Sequence, residues 1–399
     1  MLWTPGQALA SGSERKFLFV FCPGGWDQCY LFAPLFGSPH VDMEADAQAA
    51  ESGGVPYVDA ENRPFVRDFF DAHADKTCIV NGIESRSVAH DVCLRLVCTG
   101  SSQPSADDWP SLIAAGAGPG ILMPQVALSG PSYTHSYAHK VVRIGRAGQL
   151  MGLLDGSSAA AMDSPAALPS SGVQELEDLF VASRCAKLEE EASRGAEQEI
   201  LGQASSMEAD LATLQESGIE LESSDDLGAS LSLCADLFSQ NAARCVMLAY
   251  DGVRGLGWDT HAGNHMQAWH FDALFEQLAL HLDDIGERPG SNGGSLLDEV
   301  TIVVMSEMGR FPKLNFQDGK DHWTYTSAML LGAGVRGGQA IGGYDEHCMG
   351  RRVDLASGES TDLGKDLGPK ELGATLLALA DIDPAGFVDA DPILAAIAD

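Results

Sequence analysis

The chain has 399 residues, 45% of them hydrophobic, enough for a large core in one extended α/β domain or two smaller ones. Its 24 Lys and Arg against 57 Asp and Glu give a formal net charge of −33, which repels nucleic-acid phosphates and anionic lipid head groups and excludes nucleic acid as a partner. No stretch approaches the roughly 18 uninterrupted apolar residues of a membrane-spanning helix, so no transmembrane segment is expected.

Residues 1–15 read as a tail preceding a single domain over 16–399. The tail has neither a basic start nor an apolar stretch of secretory-signal length, although Leu9-Ala10-Ser11-Gly12 suits the remnant of one. Short runs of β-branched and large apolar residues predict buried strands at 17–21, 78–83, 245–250, 300–305 and 328–331. Between 151 and 225 the composition shifts to Ala, Ser, Glu and Gln, with helical spacing at Val173, Leu176 and Phe180, which predicts a helical insertion. A helix is expected to start near Ser223 or Ser224, with Asp225 and Asp226 in its first turn and Leu227, Leu231, Cys234 and Phe238 on one face. Another runs from Phe271, where Leu274, Phe275, Leu278, Leu282 and Ile285 recur opposite Asp272, Glu276, Asp283 and Glu287. Strands alternating with helices imply parallel pairing through right-handed crossovers, hence the α/β class. The nine cysteines form no Cys-x-x-Cys pair, and Cys78 and Cys245 open apolar runs as core residues would.

In such a sheet the chemistry belongs beyond the carboxyl ends of the strands. The strand at 17–21 is followed by Cys22-Pro23-Gly24-Gly25-Trp26-Asp27. After 245–250 come Asp251 and then Gly257-Trp258-Asp259-Thr260-His261, and after 300–305 comes Ser306-Glu307-Met308-Gly309-Arg310. Asp259 and His261 lie two apart, so in an extended segment both side chains can reach one cation. Carboxylate oxygen with imidazole nitrogen suits zinc, manganese or iron, while more oxygen shifts the preference toward magnesium or calcium. His322 is taken as a ligand and its neighbour Asp321 as an alternative or supporting one, because adjacent side chains rarely ligate one ion. Asp27, after a Gly-Gly turn, is either a ligand or a helix cap. His90 opens a helical run as cap, core residue or catalytic group. His265 reads as packing near Trp269, and His135 and His139 as loop residues. Gly332-Ala333-Gly334-Val335-Arg336-Gly337 matches a dinucleotide fingerprint, but the glycine-rich continuation cannot supply the helix that such a site needs.

The order and spacing of Trp258-Asp259-Thr260-His261, Ser306-Glu307-Met308-Gly309-Arg310, Gly319-Lys320-Asp321-His322-Trp323, and Gly337-Gly338 with Gly342 and Asp345, resemble the bacterial family called domain of unknown function 1501. The likeness spans nearly the whole chain; residues 17–27 resemble the family's opening strand and turn, and His90 with Thr99-Gly100 its second motif region. The resemblance implies an alkaline-phosphatase-like three-layer sandwich, a mostly parallel sheet between helices, with one or two divalent metal ions hydrolysing a phosphate or sulfate ester of a small molecule or glycan. It implies metal ligation by Asp27, Asp259, His261, Glu307 and His322; the donor chemistry adds Asp321 beside them and puts zinc first among the ions, ahead of manganese, magnesium or calcium. Export to the periplasm is implied as well, although no export signal is written here and a cytoplasmic location stays open. Related proteins carry a hydroxyl or modified cysteine nucleophile at the helix start after the second strand, where this chain has Glu84-Ser85-Arg86-Ser87-Val88-Ala89-His90. Ser87 and Ser85 are the available hydroxyls, with Ala89 standing where related sequences often carry Ser or Asn, so attack by Ser87, by Ser85 or by a metal-bound water stays open. Ser87, His90 and Arg310 are the candidate catalytic residues, and Arg310, Lys320 and Arg86 the cations expected to hold ester oxygens. The alternative is a non-catalytic exported protein that keeps the fold and a structural metal for binding or assembly.

Overall fold

The strand β1 (Lys16–Phe21) is buried throughout, and its side chains divide by parity. Leu18 and Val20 join one hydrophobic cluster and Phe17, Phe19 and Phe21 another. A two-residue period does this when both faces of a sheet are covered. The computed structural model describes residues 15–118, 120–144, 171–191, 219, 224–291 and 293–398. In chain order, β2 (Gln48–Ser52) and β3 (Val55–Asp59) form a separate hairpin. They are followed by β4 (Thr77–Glu84), β5 (Met123–Ala127), β6 (Val141–Arg143), β7 (Ala243–Ala249) and β8 (Val300–Met305). Next come a two-residue pair, β9 (Gly309–Arg310) and β10 (His322–Trp323), then β11 (Tyr325–Gly332) and β12 (Gln339–Ile341).

Eight of these strands make the main sheet, in the order β12-β4-β11-β8-β1-β7-β5-β6. Only β11 runs against its neighbours, pairing antiparallel with β4 and β8. The sheet is therefore mostly parallel, and the carboxyl ends of β1, β4, β7 and β8 share one rim with the start of β11.

The helices are α1 (Pro64–His73), α2 (His90–Thr99), α3 (Trp109–Ala115), α4 (Ser171–Glu191), α5 (Leu227–Ser239), α6 (Met266–Glu287) and α7 (Pro369–Leu379). α1, α5 and α6 cover one face through Phe69, Phe70, Leu231, Phe271 and Leu278. α2, α3 and α7 cover the other through Val97, Ile113, Leu372 and Leu376. The result is the expected three-layer α/β arrangement. Among the described residues no helix is long and apolar enough to cross a membrane.

Several boundaries differ from the sequence reading for local reasons. α5 begins at Leu227 because the Asp226 carboxylate accepts the Ala229 N–H at 2.8 Å and so caps the helix rather than lying inside it. The strand expected to reach residue 250 stops at Ala249, and the one expected at 328–331 extends over eight residues as β11. β5, β6 and β12 are three to five residues long, too short to show a pattern. Residues 333–338 lead into β12 and not into a helix, so the dinucleotide fingerprint has no helix to complete it. Within the insertion expected at 151–225, residues 171–191 are helical, with Leu176, Leu179 and Phe180 exposed; apart from 219, 224 and 225, the rest lies outside the described residues.

Candidate metal centre

Two glycines allow the rim loops to close on one another. Gly24, in the turn after β1, has φ +119°, and a Cβ there would meet the Asp259 backbone nitrogen at 2.7 Å. Gly319, on the hairpin leading to His322, would place a Cβ 2.1 Å from the His261 carbonyl. Asp259 and His261 are thereby clamped between the first turn and the β9–β10 hairpin. His322, in β10, precedes β11 instead of following a strand of the main sheet, yet it reaches the same rim because β11 is antiparallel.

Three imidazoles converge there on Asp259. His261 Nε2 lies 2.9 Å from His322 Nε2, and each lies 3.2 Å from Asp259 Oδ1. His90 Nε2 lies 3.4 Å from Asp259 Oδ2. Each ring is held from behind through Nδ1: His90 by Glu307 Oε1 at 2.7 Å, His261 by Asp321 Oδ1 at 3.0 Å, and His322 by the Val88 carbonyl at 2.7 Å. Carboxylates and carbonyls accept, so each Nδ1 carries a proton, which leaves Nε2 of each ring as the atom turned toward Asp259 and able to ligate a cation there. Glu307 is almost fully buried, and its Oε1 also accepts the Gly24 N–H at 2.8 Å.

The electrostatics follow from these contacts. Glu307, by its hydrogen bond and its charge, outweighs burial and raises the His90 pKa above the ordinary value. Burial alone would raise the Asp259 pKa, but the Arg310 guanidinium bonded to it, then His261 and His322, hold it below the usual carboxylate range. Asp321, mostly exposed, is lowered chiefly by its hydrogen bond from His261 and then by Asn315.

A divalent ion fits this donor set. The Nε2 of His90 is buried and has no hydrogen-bond partner, and an orphaned imidazole nitrogen is costly unless something completes it. Two Nε2 lone pairs facing each other at 2.9 Å repel unless a proton or a cation lies between them. His90, Asp259 and His322 present ligand atoms that all lie within 4.8 Å of one another. An imidazole whose far nitrogen is fixed by a carboxylate or carbonyl is the usual arrangement around a bound metal.

The other predicted residues lie differently. Asp27 is fully buried and caps a short turn, its Oδ1 accepting the Cys29 N–H at 2.9 Å; its Oδ2 meets Asn264 Nδ2 and Lys320 Nζ, each at 2.7 Å. Burial opposes the Lys320 ammonium, but Asp27, with Cys29 and Tyr30, outweighs it and raises the pKa above the ordinary lysine value. Arg310 is buried, and its nitrogens serve Gly24 O, Gly25 O, Lys320 O and Asp259 Oδ1, the last at 2.5 Å. Arg86, mostly exposed, turns to Glu84 at 3.8 Å. Ser87 Oγ accepts the Ala89 N–H at 3.2 Å, and Ser85 Oγ donates to the Thr324 carbonyl at 2.8 Å. Among the described residues no hydrogen bond or ion pair joins Ser87 to the four converging side chains. His265 packs edge-on against Trp269, as expected.

Sequence reasoning missed how His90 enters the cluster and how Glu307 stands behind it. The signal available was position: His90 opens a helix directly after the β4 rim loop, as Glu307 follows β8. It also missed Asn264, just before α6, whose Nδ2 donates to Asp27 Oδ2 at 2.7 Å, and Gln267, in the first turn of α6, whose Oε1 accepts the Asp27 N–H at 3.0 Å.

The family model described as "Protein of unknown function (DUF1501)" matches residues 14–385. The chain belongs to this family. No curated protein matches the sequence. Among solved structures, this family member is similar to the lipoteichoic acid synthase LtaP from Listeria monocytogenes, at 9% identity and a TM-score of 0.43, covering 97% of this chain and 77% of the other. The PsFucS1 sulfatase from Pseudoalteromonas sp. aligns at 8% identity and a TM-score of 0.40, covering 97% and 72%. A TAB5 alkaline phosphatase mutant with Mg bound in its M3 site aligns at 9% identity and a TM-score of 0.37, covering 94% of this chain and 100% of the other.

Proposed function

We propose that this chain is a metal-dependent hydrolase of phosphate or sulfate esters, with the metal held by His90, Asp259, His261 and His322. One observation carries the reading: three imidazole Nε2 atoms, each on a ring whose Nδ1 is held by an acceptor, converge on one carboxylate. Nitrogen-rich donors of this kind favour zinc over magnesium or calcium. A divalent ion bound there would supply Lewis-acid polarisation of an ester oxygen and a lowered pKa for water.

The residues of the chain do the rest. Glu307, Asp321 and the Val88 carbonyl keep the three rings in the ligating tautomer. Arg310 spends its donors on Asp259 and on the first turn, so it orients a ligand and is not available to grip substrate oxygens. Asp259 and His261 are each 45% exposed, which leaves the cluster open to an incoming small-molecule or glycan ester. Ser87 lies on the loop whose Val88 carbonyl holds His322, and it is the hydroxyl we assign as the candidate nucleophile.

The second reading, a non-catalytic protein that keeps a structural metal, draws on the Ser87 hydroxyl facing Ala89 and on three expected cations committed to other partners. The test is hydrolysis of phosphate monoesters, phosphate diesters and sulfate esters by protein stripped of metal and then reloaded with zinc, manganese, magnesium or calcium. Turnover that appears only on reloading supports the hydrolase. A metal-loaded protein inert to all three ester classes moves the assignment to the second reading.

A further inference from the structure

Resting on the metal-binding reading above, we infer that the chain holds one divalent ion and not two, because the buried ammonium of Lys320 already fills the cation position at Asp27. Asp27 is the carboxylate at this rim that the family resemblance nominated as a ligand and that does not face the three imidazoles, so it is the position where a second ion would be sought. Its oxygens are instead satisfied by the protein. Oδ1 accepts the Cys29 N–H at 2.9 Å, and Oδ2 accepts Asn264 Nδ2 at 2.7 Å and is ion-paired at 2.7 Å with Lys320 Nζ, whose charge rather than an aligned hydrogen bond holds the pair. Asp27 and Lys320 are both 0% exposed, and the ammonium stands 5.8 Å from the centroid of the Tyr30 ring.

A divalent ion would have to displace that ammonium or share a carboxylate with it. Sharing is opposed by charge repulsion between two cations at van der Waals range in a medium that screens poorly. Displacement would strand a buried ammonium without its counter-charge, which is more costly than leaving the pair intact. Lys320 is also fixed along its backbone: its N–H donates to the Thr260 carbonyl at 3.0 Å, and its carbonyl accepts Arg310 Nη1 at 3.1 Å. The segment that presents His322 to the metal cluster thus also delivers a tethered positive charge to Asp27. Asp27 is a positioning residue for the first turn, and Lys320 is its built-in counter-ion.

The test is metal stoichiometry by elemental analysis after loading with excess zinc and removal of free metal. It is made in a His347→Ala background, because His40, Glu346 and His347 form a second, exposed cluster with ligand atoms within 4.8 Å of one another. The expected result is one zinc ion per chain. The paired substitution Asp27→Asn with Lys320→Met removes both buried charges together, and it is expected to retain one ion per chain, whereas His322→Ala loses it. Two ions per chain before the paired substitution would overturn the inference while leaving the metal-binding reading standing. No ion at all would sink the metal-binding reading itself. Should the paired variant fail to fold, the count in the unpaired background still decides; should it fold and lose the ion, Asp27 is a ligand after all.

Discussion

Asp259 and Asp27 both follow parallel strands at the same rim of the sheet, and their surroundings assign them opposite roles. Asp259 is 45% exposed and, besides the Arg310 guanidinium on its Oδ1, faces the Nε2 atoms of His90, His261 and His322. Asp27 is buried and surrounded by donors: a backbone N–H, an amide and an ammonium. Asp259 keeps an open side lined by imidazole nitrogens on which a cation can be bound, whereas Asp27 is enclosed on every side by donors. Strand-end position tells where chemistry can occur, while the partners contributed by distant segments decide which side chain does it.

The largest effect should come from dismantling the open side of this comparison. Asp259→Ala removes the carboxylate shared by all three rings, and zinc affinity measured by competition with a chelating dye should fall by more than about 100-fold, beyond the range typical of outer partners. An affinity unchanged within the error of the titration would refute the ligand assignment. Next comes the group behind the ring: Glu307→Gln keeps the size of the side chain but weakens the hold on His90 Nδ1, and affinity should drop by about 10- to 100-fold. A loss as deep as that of Asp259→Ala would make Glu307 a ligand rather than a support.

A smaller effect concerns folding and lies far from the rim. His281 on α6 is buried, with no hydrogen-bond partner for Nε2, and burial pushes its pKa down to about 4. The unfolded chain binds a proton below about pH 6.5 while the folded chain keeps the ring neutral, so stability falls as pH drops from about 6.5 toward 4. The part owed to His281 is about 3 kcal/mol at most. His281→Leu should flatten the acid side of a stability-versus-pH curve from urea unfolding; a curve of unchanged slope would remove His281 as the source.

The smallest change in metal binding is expected from Ser87→Ala, since no hydrogen bond joins its hydroxyl to the cluster. Zinc content should stay within about twofold of the unsubstituted protein. Ester turnover then separates two routes: its loss assigns attack to the Ser87 hydroxyl, and its retention assigns attack to water.

The parallel strands and the rim were legible in the sequence because fully buried strands are written as uninterrupted apolar runs, as at 17–21 and 300–305. The loops that follow them carry Asp259, His261 and Glu307 in plain view. β5, β6 and β12 were not legible, since three to five residues show no period. Nor was the division of labour among the acids. Glu307 supports His90 across 217 positions, and Asn264 binds Asp27 across 237, and such pairings exist only once the sheet has brought the loops together. Ser87 followed from a helix start after β4, but the direction of a hydroxyl is set by its nearest N–H, here Ala89.

X-ray absorption of the zinc-loaded protein tests the central claim most directly, because it reports the atoms around the ion without reference to activity. The account predicts one zinc environment dominated by imidazole nitrogen at about 2.0–2.1 Å, with the multiple-scattering signature of at least two rings, and no sulfur at about 2.3 Å. An all-oxygen shell, or zinc bound to sulfur, would contradict it.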